Sequence, residues 1–263
     1  MSAPLTKTPN AGYRFLRGIE PYSSGVTAEP GWEIVHVTLA RPLPWYEGMV
    51  AARRFVEQKD RERHSLCGFE LRCAEPFSME GFIAFNREYR ALLEEWEMLV
   101  EDQNPVARTN VSPVESPSSG SMLYGFSYTE PSDLMRPTFV VAGGGELRGP
   151  LDSKQIVRVG ETSEEAMLEK ARCVVEIMCE RLAALGNNDL LTTINVYTAH
   201  PLRKLLAEVV IPGIPAAARL GVRWFYSRPP VKDIEFEMDM RGVARDLVVE
   251  LAGCTLIDSC GSS

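Results

Sequence analysis

The residues that could carry chemistry in this sequence do not form a familiar catalytic motif. The chain has no G-x-S-x-G nucleophile elbow, no H-E-x-x-H metal motif and no Walker phosphate loop. Its six cysteines lie at positions 67, 73, 173, 179, 254 and 260 without a C-x-x-C pair, and neither His36 nor His200 is near a cysteine pair. Because zinc sites need such clustered ligands, we expect no metal site.

Two other features could serve either a site or the fold. Gly143-Gly144-Gly145 follows an apolar run at 138–142, but it is not the G-x-G-x-x-G of a dinucleotide site, and the next predicted helix begins too far along the chain. The glycines are compatible with a tight turn at positive φ or with a loop whose backbone N–H groups approach an anion. His200, at the end of a predicted strand, is either structural or an acid or base. The sequence leaves both choices open.

The composition excludes several classes of protein. The chain has 263 residues and a net charge of -8, and it lacks the basic patch or stripe that nucleic-acid-binding proteins use. A hydrophobic fraction of 45% is enough for a packed core, whereas no apolar run reaches the roughly 18–20 residues of a membrane span. The first residues lack the apolar core of a signal peptide. We therefore expect a cytoplasmic protein with reduced, mostly buried cysteines that binds neither nucleic acid nor membrane.

The elements that must position a site fall on two sides of a predicted linker. Residues 112–121 are rich in Pro, Ser and Gly and have no apolar periodicity, which predicts a loop or linker. It divides the chain into a first domain at 1–115 and a second at 116–250, followed by a flexible tail at 251–263. The two domains are similar in length, and each is long enough to fold around its own core.

Both parts show a similar order of predicted elements. In the second part, the residue patterns predict strands at 122–128, 138–142, 190–197, 221–226 and 234–240. Its helices are predicted at 163–185, after a capping box of Thr162 and Glu165, and at 202–210. The first part gives strands at 13–16, 33–39, 66–72 and 106–111 and helices at 45–59 and 79–99. The matching order predicts an internal duplication of a sheet with two helices on one face.

Short segments in both parts resemble motifs of the reactive-intermediate deaminase family, RidA/YjgF. Residues 19–26, IEPYSSGV, look like the GPYSQAV opening of that family, and FIAFNREY at 82–89 is similar to its FAAFNEVYAEYF helix. PVARTNV at 105–111 resembles its PART-V strand with one residue inserted. Three segments of the second part also look like motifs of that family. FVVAGG at 139–144 looks like LFVSGQ, NVYT at 195–198 looks like V-VYLTD, and IEFE at 234–237 looks like VEIEAIA. The matches run in the family's order.

This resemblance implies an α+β fold of two tandem RidA-like, chorismate-mutase-like domains, each a mixed β-sheet with two helices packed on one face. Domains of that family form trimeric rings with sites in the clefts between neighbours. We therefore expect a homotrimer of two-domain chains. Family members hydrolyse enamines and imines, and related proteins deaminate aminomuconate, act on chorismate or open cyclic amides. The fold alone therefore does not fix the substrate.

The resemblance also implies roles for individual residues of the first part and the glycine turn. Arg108 falls on the arginine that binds the substrate carboxylate, a role that suits a planar and permanently charged guanidinium. Tyr22 and Asn86 match pocket residues of the family, and Gly143 and Gly144 fall on its glycine turn. Structural roles are the alternatives: an ion pair for Arg108, packing for Tyr22 and an exposed helix face for Asn86.

Glu235 matches the glutamate that positions the attacking water in the family. A carboxylate there can take a proton from water and return it to the departing nitrogen. Glu237 points to the same face of the predicted strand, and an exposed strand position is the alternative for Glu235. The first part has no glutamate on its matching strand, and the second keeps only Arg219 of the PART motif, within AARL at 217–220. A site shared between unlike halves is therefore expected.

Together these features predict a hydrolytic deaminase that releases ammonia from an imine, enamine or amino-dienoate carboxylate of the 2-aminomuconate type. Arg108 is expected to bind the small-molecule carboxylate, and Glu235 to direct water to the C=N carbon, which is electrophilic enough to need no cofactor. A chorismate-type lyase or hydrolase acting on a cyclic carboxylate is the alternative enzyme. A non-catalytic small-molecule-binding protein is the alternative from another class, because each half lacks part of the family's motif.

Overall fold

The chain forms strands and helices in an order close to the expected one. The computed structural model describes residues 4–115, 119–149, 151–186 and 190–251. Within these ranges the strands are β1 (Leu5–Lys7), β2 (Tyr13–Leu16), β3 (Gly25–Ala28), β4 (Trp32–Pro44), β5 (Leu66–Arg72), β6 (Ala107–Pro113), β7 (Met122–Pro131), β8 (Phe139–Gly145), β9 (Thr193–Tyr197), β10 (Arg223–Phe225), β11 (Ser227–Arg228), β12 (Glu237–Gly242) and β13 (Arg245–Val249).

Four helical segments lie close to the predicted positions, whereas two short helices were not predicted. The helices are α1 (Trp45–Glu57), α2 (Met79–Glu95), α3 (Glu164–Ala184), α4 (Leu202–Leu205) and the two that were not predicted, α5 (Ile211–Gly213) and α6 (Ala216–Leu220), with a π-helical turn at Leu206–Val210. No helix among the described residues is long and apolar enough to cross a membrane. The tail expected at 251–263, with Cys254 and Cys260, lies outside the described residues except for Leu251.

The strands form two sheets, and each sheet takes strands from both sides of the predicted linker. The seven-stranded sheet has the order β1-β2-β3-β8-β12-β9-β10, and the six-stranded sheet has the order β11-β6-β5-β7-β4-β13. The first three strands of the chain belong to the seven-stranded sheet, where β3 pairs with β8 and Gly25 lies opposite Val141. The chain returns to the six-stranded sheet near its end, where β13 runs parallel to β4 with Val37 opposite Leu247.

This exchange of strands overturns the expected fold of two self-contained tandem RidA-like domains. The strands β1, β2 and β3 lie with the second-half strands, and β7, β11 and β13 lie with the first-half strands. Residue 115 lies between β6 and β7, which belong to the same sheet. The expectation was wrong because strand patterns specify which face of a strand is buried but not which strand is its neighbour. The observed fold is a mixed α+β structure built on two intertwined sheets.

Each sheet has its own hydrophobic core against helices on its outer face. The helices α1 and α2 cover the six-stranded sheet, where Phe126 and Tyr128 of β7 contact Phe55 of α1 edge to face, with ring centroids 5.5 and 5.9 Å apart. The N-cap residue of α2 is Ser78, whose side chain accepts a hydrogen bond from the backbone N–H of Gly81 at 3.1 Å. This cap fixes the start of the helix that carries Phe82 and Asn86.

The helix α3 covers the seven-stranded sheet and packs with α4–α6. Its N-cap is Ser163, whose Oγ accepts a hydrogen bond from the backbone of Ala166 at 3.3 Å, so the cap lies one residue after the predicted Thr162. Val174 and Met178 in the middle of the helix are fully buried. The helix therefore lies rigidly along the sheet, with Arg181 near its C-terminal end.

The inner faces of the two sheets meet through polar and charged side chains. From the seven-stranded sheet, Arg241 reaches Glu70 at 3.2 Å and Asp246 at 3.3 Å, both on the six-stranded sheet. The imidazole of His36 lies between the same two carboxylates, at 2.8 Å from Glu70 and 2.7 Å from Asp246. An apolar cluster at one end of this layer includes Tyr13, Phe15, Val26, Ile34 and Ala142. Strands of both sheets, together with side chains of α2 and α3, supply the candidate site.

Candidate active site

A cavity of about 260 Å³ opens between the two sheets. Four elements supply its polar wall: the segment before β3, the strands β6 and β8, and the helix α3. The entry to β12 closes one side, and apolar side chains of α2 and of two loops complete the lining. Its main residues are Ile19, Tyr22, Ser24, Phe82, Arg108, Asn110, Gly143, Gly144, Gly145, Arg148, Ile177, Arg181, Val231, Ile234 and Glu237.

Arg108 of β6 is a buried cation at the bottom of this cavity, with only 2% of its surface exposed. Its Nη2 donates to Oδ1 of Asn86 on α2 at 2.6 Å. Two tyrosine rings lie against the guanidinium, Tyr22 at 4.5 Å and Tyr89 at 4.6 Å from Cζ to the ring centroid. Nη1 has no hydrogen-bond partner among the described residues. Because burying an unpaired charged donor is unfavourable, this edge of the guanidinium is suited to a ligand carboxylate.

Arg181 of α3 supplies a second cation to the cavity. Its Nη1 donates to the carbonyl oxygens of Ala142 and Gly143 at 2.8 and 3.0 Å. A Cβ at Gly144 would lie 3.1 Å from that Nη1, so the glycine leaves room for the guanidinium. Arg148, at the rim, is held outward by Glu176 at 3.0 Å and Glu180 at 3.2 Å. The cavity is therefore positive on two sides.

Glu237, the first residue of β12, is the acidic group of the cavity and was not among the predicted site residues. Its side chain is buried, and a Cβ at Gly143 would overlap its Oε1. Burial raises the pKa of the Glu237 carboxyl well above its usual range, and the negative charge of Asp239 raises it further, whereas Arg181 and Arg108 act in the opposite direction. Burial therefore favours the neutral form of this carboxyl group, which can donate a proton.

The structure brings some of the predicted site residues together and separates others. Tyr22, Arg108, Gly143 and Gly144 line the cavity. Asn86 lies behind Arg108 and fixes its orientation rather than lining the cavity.

Glu235 and Arg219 do not line the cavity. The carboxylate of Glu235 contacts Nε2 of His200 at 2.9 Å, so these two residues pair with each other. Arg219 is exposed on α6. The glutamate that lines the cavity is thus Glu237, the first residue of β12, whereas Glu235 lies two residues before it and outside that strand.

Asn110 is a further cavity residue that the sequence reasoning missed. It is buried on β6, two residues after Arg108 and on the same face of the strand, and neither Oδ1 nor Nδ2 has a hydrogen-bond partner among the described residues. Strand periodicity alone could have placed Asn110 beside Arg108. No group of three His, Cys, Asp or Glu side chains in the described part of the chain is arranged to hold a metal ion.

The chemistry available in this cavity follows from its charges. Two guanidinium groups can bind anionic groups of one ligand, and the Glu237 carboxyl group, whose neutral form is favoured by burial, can donate and take up a proton. The amide of Asn110 can accept and donate further hydrogen bonds. Such a set suits proton transfer on a small molecule that carries carboxylates.

Comparison with known proteins gives this cavity a family. The sequence profile of the family "2-aminomuconate deaminase CnbZ" matches residues 5–247. A 2-amino-5-chloromuconate deaminase from Comamonas testosteroni is 40% identical over 246 residues, which cover 90% of this chain and 96% of that protein. These matches are to a family other than RidA, so the broader assignment suggested by the short motifs is not supported.

Two solved structures are similar over most of the chain. A chorismatase is 11% identical to this chain, with a TM-score of 0.45. The alignment covers 92% of this chain and 80% of the chorismatase. A cyanuric acid hydrolase from A. caulinodans shares 10%, covers 83% of this chain and 69% of its own, with a TM-score of 0.40. The sequence matches span nearly the whole described chain, including both sheets and the cavity between them, and on their strength this chain belongs to the 2-aminomuconate deaminase CnbZ family.

Proposed function

We propose that this chain, a deaminase that hydrolyses a carbon–nitrogen bond, converts an amino-dienoate with two carboxylates, of the 2-aminomuconate type, into a 2-oxo dicarboxylate and ammonia. The observation that carries the proposal is the buried Glu237 carboxyl in a cavity that also holds Arg108 and Arg181. A conjugated dicarboxylate has an anionic group at each end, and the cavity offers a guanidinium for each.

Substrate binding is assigned to the two arginines and Asn110. The unpaired Nη1 of Arg108 would bind the carboxylate next to the amino-bearing carbon. Arg181, fixed by two backbone carbonyls, would bind the distal carboxylate. Apolar side chains of Phe82, Ile177 and others would cover the planar chain of carbon atoms between them. Each charge-assisted contact would contribute about 1.5–3 kcal/mol to binding.

Glu237 would carry the protons in the first half of the reaction. As a neutral acid it donates its proton to a carbon of the dienamine, which turns the C–NH₂ group into an iminium ion. As a carboxylate it then takes a proton from water while the water oxygen bonds to the iminium carbon. The product of these steps is a carbinolamine, and Glu237 is again protonated.

The second half of the reaction would release ammonia by the same group. Glu237 gives its proton to the amino nitrogen, the C–N bond breaks, and the electron pair leaves with ammonia. The hydroxyl proton of the former carbinolamine returns to the Glu237 carboxylate as the C=O bond forms. One water is consumed, one ammonia is released, and the enzyme regains its starting protonation state.

The alternatives from the sequence have less support. The family match is to deaminases and not to enzymes acting on chorismate. A binding protein without catalysis needs no buried carboxyl group with a raised pKa beside the arginines that bind the ligand.

The proposal is tested by ammonia release from 2-aminomuconate, measured with glutamate dehydrogenase and NADH, in wild type, Glu237→Gln and Glu235→Gln. We expect Glu237→Gln to lower kcat by about 10²–10⁴-fold, because Gln cannot transfer the proton. The Glu235 variant is the matched comparison, since it changes the same residue type two positions away, outside the cavity. Activity lost in Glu235→Gln and kept in Glu237→Gln would reverse the assignment, and no ammonia from the folded wild type would refute the function.

A further inference from the structure

A fully buried ion pair lies beside the cavity without lining it. Nζ of Lys170 on α3 is 3.1 Å from Oε1 of Glu146, the residue that follows β8, and both side chains are inaccessible to solvent. Taking two charges out of water is unfavourable unless further hydrogen bonds compensate. Since apolar residues of similar volume can often replace such a pair without loss of stability, burial alone does not explain it.

The carboxylate of Glu146 binds the backbone that leads into β12. Oε1 accepts the N–H of Glu235 at 2.6 Å, and Oε2 accepts the N–H of Phe236 at 3.0 Å. The pairing of β12 with β8 begins one residue later, where Glu237 lies opposite Gly145. The side chain therefore takes the place of strand pairing at the two residues before Glu237.

Lys170 binds the same segment from the helix side. Its Nζ also approaches the carbonyl oxygen of Asp233 at 3.5 Å, and Asp233 has a φ of 72°, in the left-handed region. The pair thus joins three elements that supply the cavity: the end of β8 with its glycines, the helix α3 that also carries Arg181, and the entry to β12 with Glu237.

We propose that Glu146, with Lys170 as its counter-ion, is a positioning residue that fixes the path of residues 233–237 and thereby aims the Glu237 carboxyl at the substrate. This inference rests on the proposed role of Glu237. Neither residue touches the cavity, so the effect on the reaction passes through the backbone.

The charge of Glu146 also acts on Glu237. The titratable and charged groups that interact with the Glu237 carboxyl are Tyr22, Cys73, Arg108, Glu146, Arg181 and Asp239. Among these, Glu146 and Asp239 raise the pKa of Glu237, and the arginines lower it. Replacing Glu146 by Gln therefore lowers the pKa of Glu237, which moves the high-pH limb of kcat to lower pH.

The experiment compares kcat and KM for ammonia release in wild type, Glu146→Gln, Glu237→Gln and the double variant. We expect Glu146→Gln to lower kcat by roughly 10-fold or more, because small displacements of a reacting group are costly. KM and the affinity for cis,cis-muconate, measured by calorimetry, should not change, since both arginines stay in place. In the Glu237→Gln background, Glu146→Gln should cause no further loss, because the two residues act as one unit.

Several results would overturn the proposal. They are an unchanged kcat, an unshifted pH profile, or a parallel loss of muconate affinity. Losses in kcat that multiply in the double variant would also overturn it, because a merely structural role of Glu146 predicts independent effects. Glu169→Gln on the exposed face of α3, which breaks a pair with Arg158, is the control and should leave kcat unchanged. If Glu146→Gln does not fold, Glu146→Gln/Lys170→Met removes both charges and is judged by the same criteria, and a failure of both to fold makes the pair structural. Full activity of Glu237→Gln would refute the proposed role of Glu237, on which this inference rests, and so differs from a failure at Glu146 alone.

Discussion

At the scale of single residues, Gly143 and Glu237 share one small space. A Cβ at position 143 would overlap Oε1 of Glu237 and lie 3.1 Å from the backbone of Thr109. We expect Gly143→Ala to displace the carboxyl group and lower kcat by roughly 10–100-fold, with a smaller effect on KM. Steady-state ammonia release measures this, with Gly120→Ala as the control, because a Cβ there meets nothing within 4 Å. Equal kinetics in the two variants would contradict the assigned role of Gly143.

The sequence predicted the cation of the site better than its acid. Arg108 and Tyr22 stood in segments that resembled known motifs, and both line the cavity. The pattern placed Glu235 and Glu237 on the same face of one predicted strand, so it could not decide which glutamate reaches the cavity. In the structure β12 begins only at Glu237, while the backbone N–H of Glu235 donates to Glu146 and the Glu235 side chain contacts His200. Arg181 was part of a predicted core helix, and only the packing of α3 places it beside the glycines.

At the scale of elements, the buried stripe of α3 holds the second cation in place. Val174 is fully buried in the middle of that helix. We expect Val174→Asp to destabilise the protein by about 3–5 kcal/mol, or roughly 6–20 °C in Tm, because the new charge has no partner. Thermal unfolding followed by circular dichroism checks this. Arg172→Asp is the control, because it introduces an aspartate on the exposed face of α3, and it should change Tm by only a few degrees.

The elements that the sequence did not predict are short strands and the two short helices α5 and α6. Residue patterns gave most of the long elements, including β5 at Leu66–Arg72 and the helix α3, to within a few residues. The missing strands are β1, β3, β11 and β13, of between 2 and 5 residues each. Segments of that length carry too few residues for a reliable period. Three of them, β3, β11 and β13, pair with strands of the other half, so missing them hid the exchange between the halves.

At the scale of the whole molecule, a buried imidazolium ties the two sheets together. Both ring nitrogens of His36 face carboxylates, of Glu70 and Asp246, so both must donate and the ring is protonated. Burial lowers the pKa of His36, but the two carboxylates outweigh this and raise it overall, while the pKa values of both acids are lowered. Arg241 then joins this cluster from the seven-stranded sheet.

The cluster predicts a stability that depends on pH. A raised histidine pKa stabilises the fold below the ordinary pKa of about 6.5, and this contribution is lost as the pH rises through the raised value. The lowered carboxyl pKa values contribute above about pH 4 and are lost as the pH falls. Tm should therefore be highest between about pH 4.5 and 6.5 and fall toward pH 8.5.

The histidine contribution can be isolated with variants. In His36→Gln, Tm should be lower and its fall above pH 6.5 should be shallower, because the histidine no longer loses a proton in the folded protein as the pH rises. His64→Gln is the control, since His64 lies outside this cluster, and it should keep the wild-type profile. Thermal unfolding from pH 4 to pH 8.5 compares the three proteins, and an unchanged profile in His36→Gln would show that the charge of His36 does not stabilise the fold.

The exchange of strands between the halves has a consequence for how the chain is made. A ribosome adds about 5–20 residues per second, so Glu237 follows Arg108 by 129 positions and by about 6–26 s. During that interval β3 and β4 have emerged, while their partners in β8 and β13 are still unmade or newly made. The nascent chain therefore presents open strand edges, which favour association with other chains until they are paired. The seven-stranded sheet is not complete before residue 242 and the six-stranded sheet is not complete before residue 249, so the cavity forms only as synthesis nears its end.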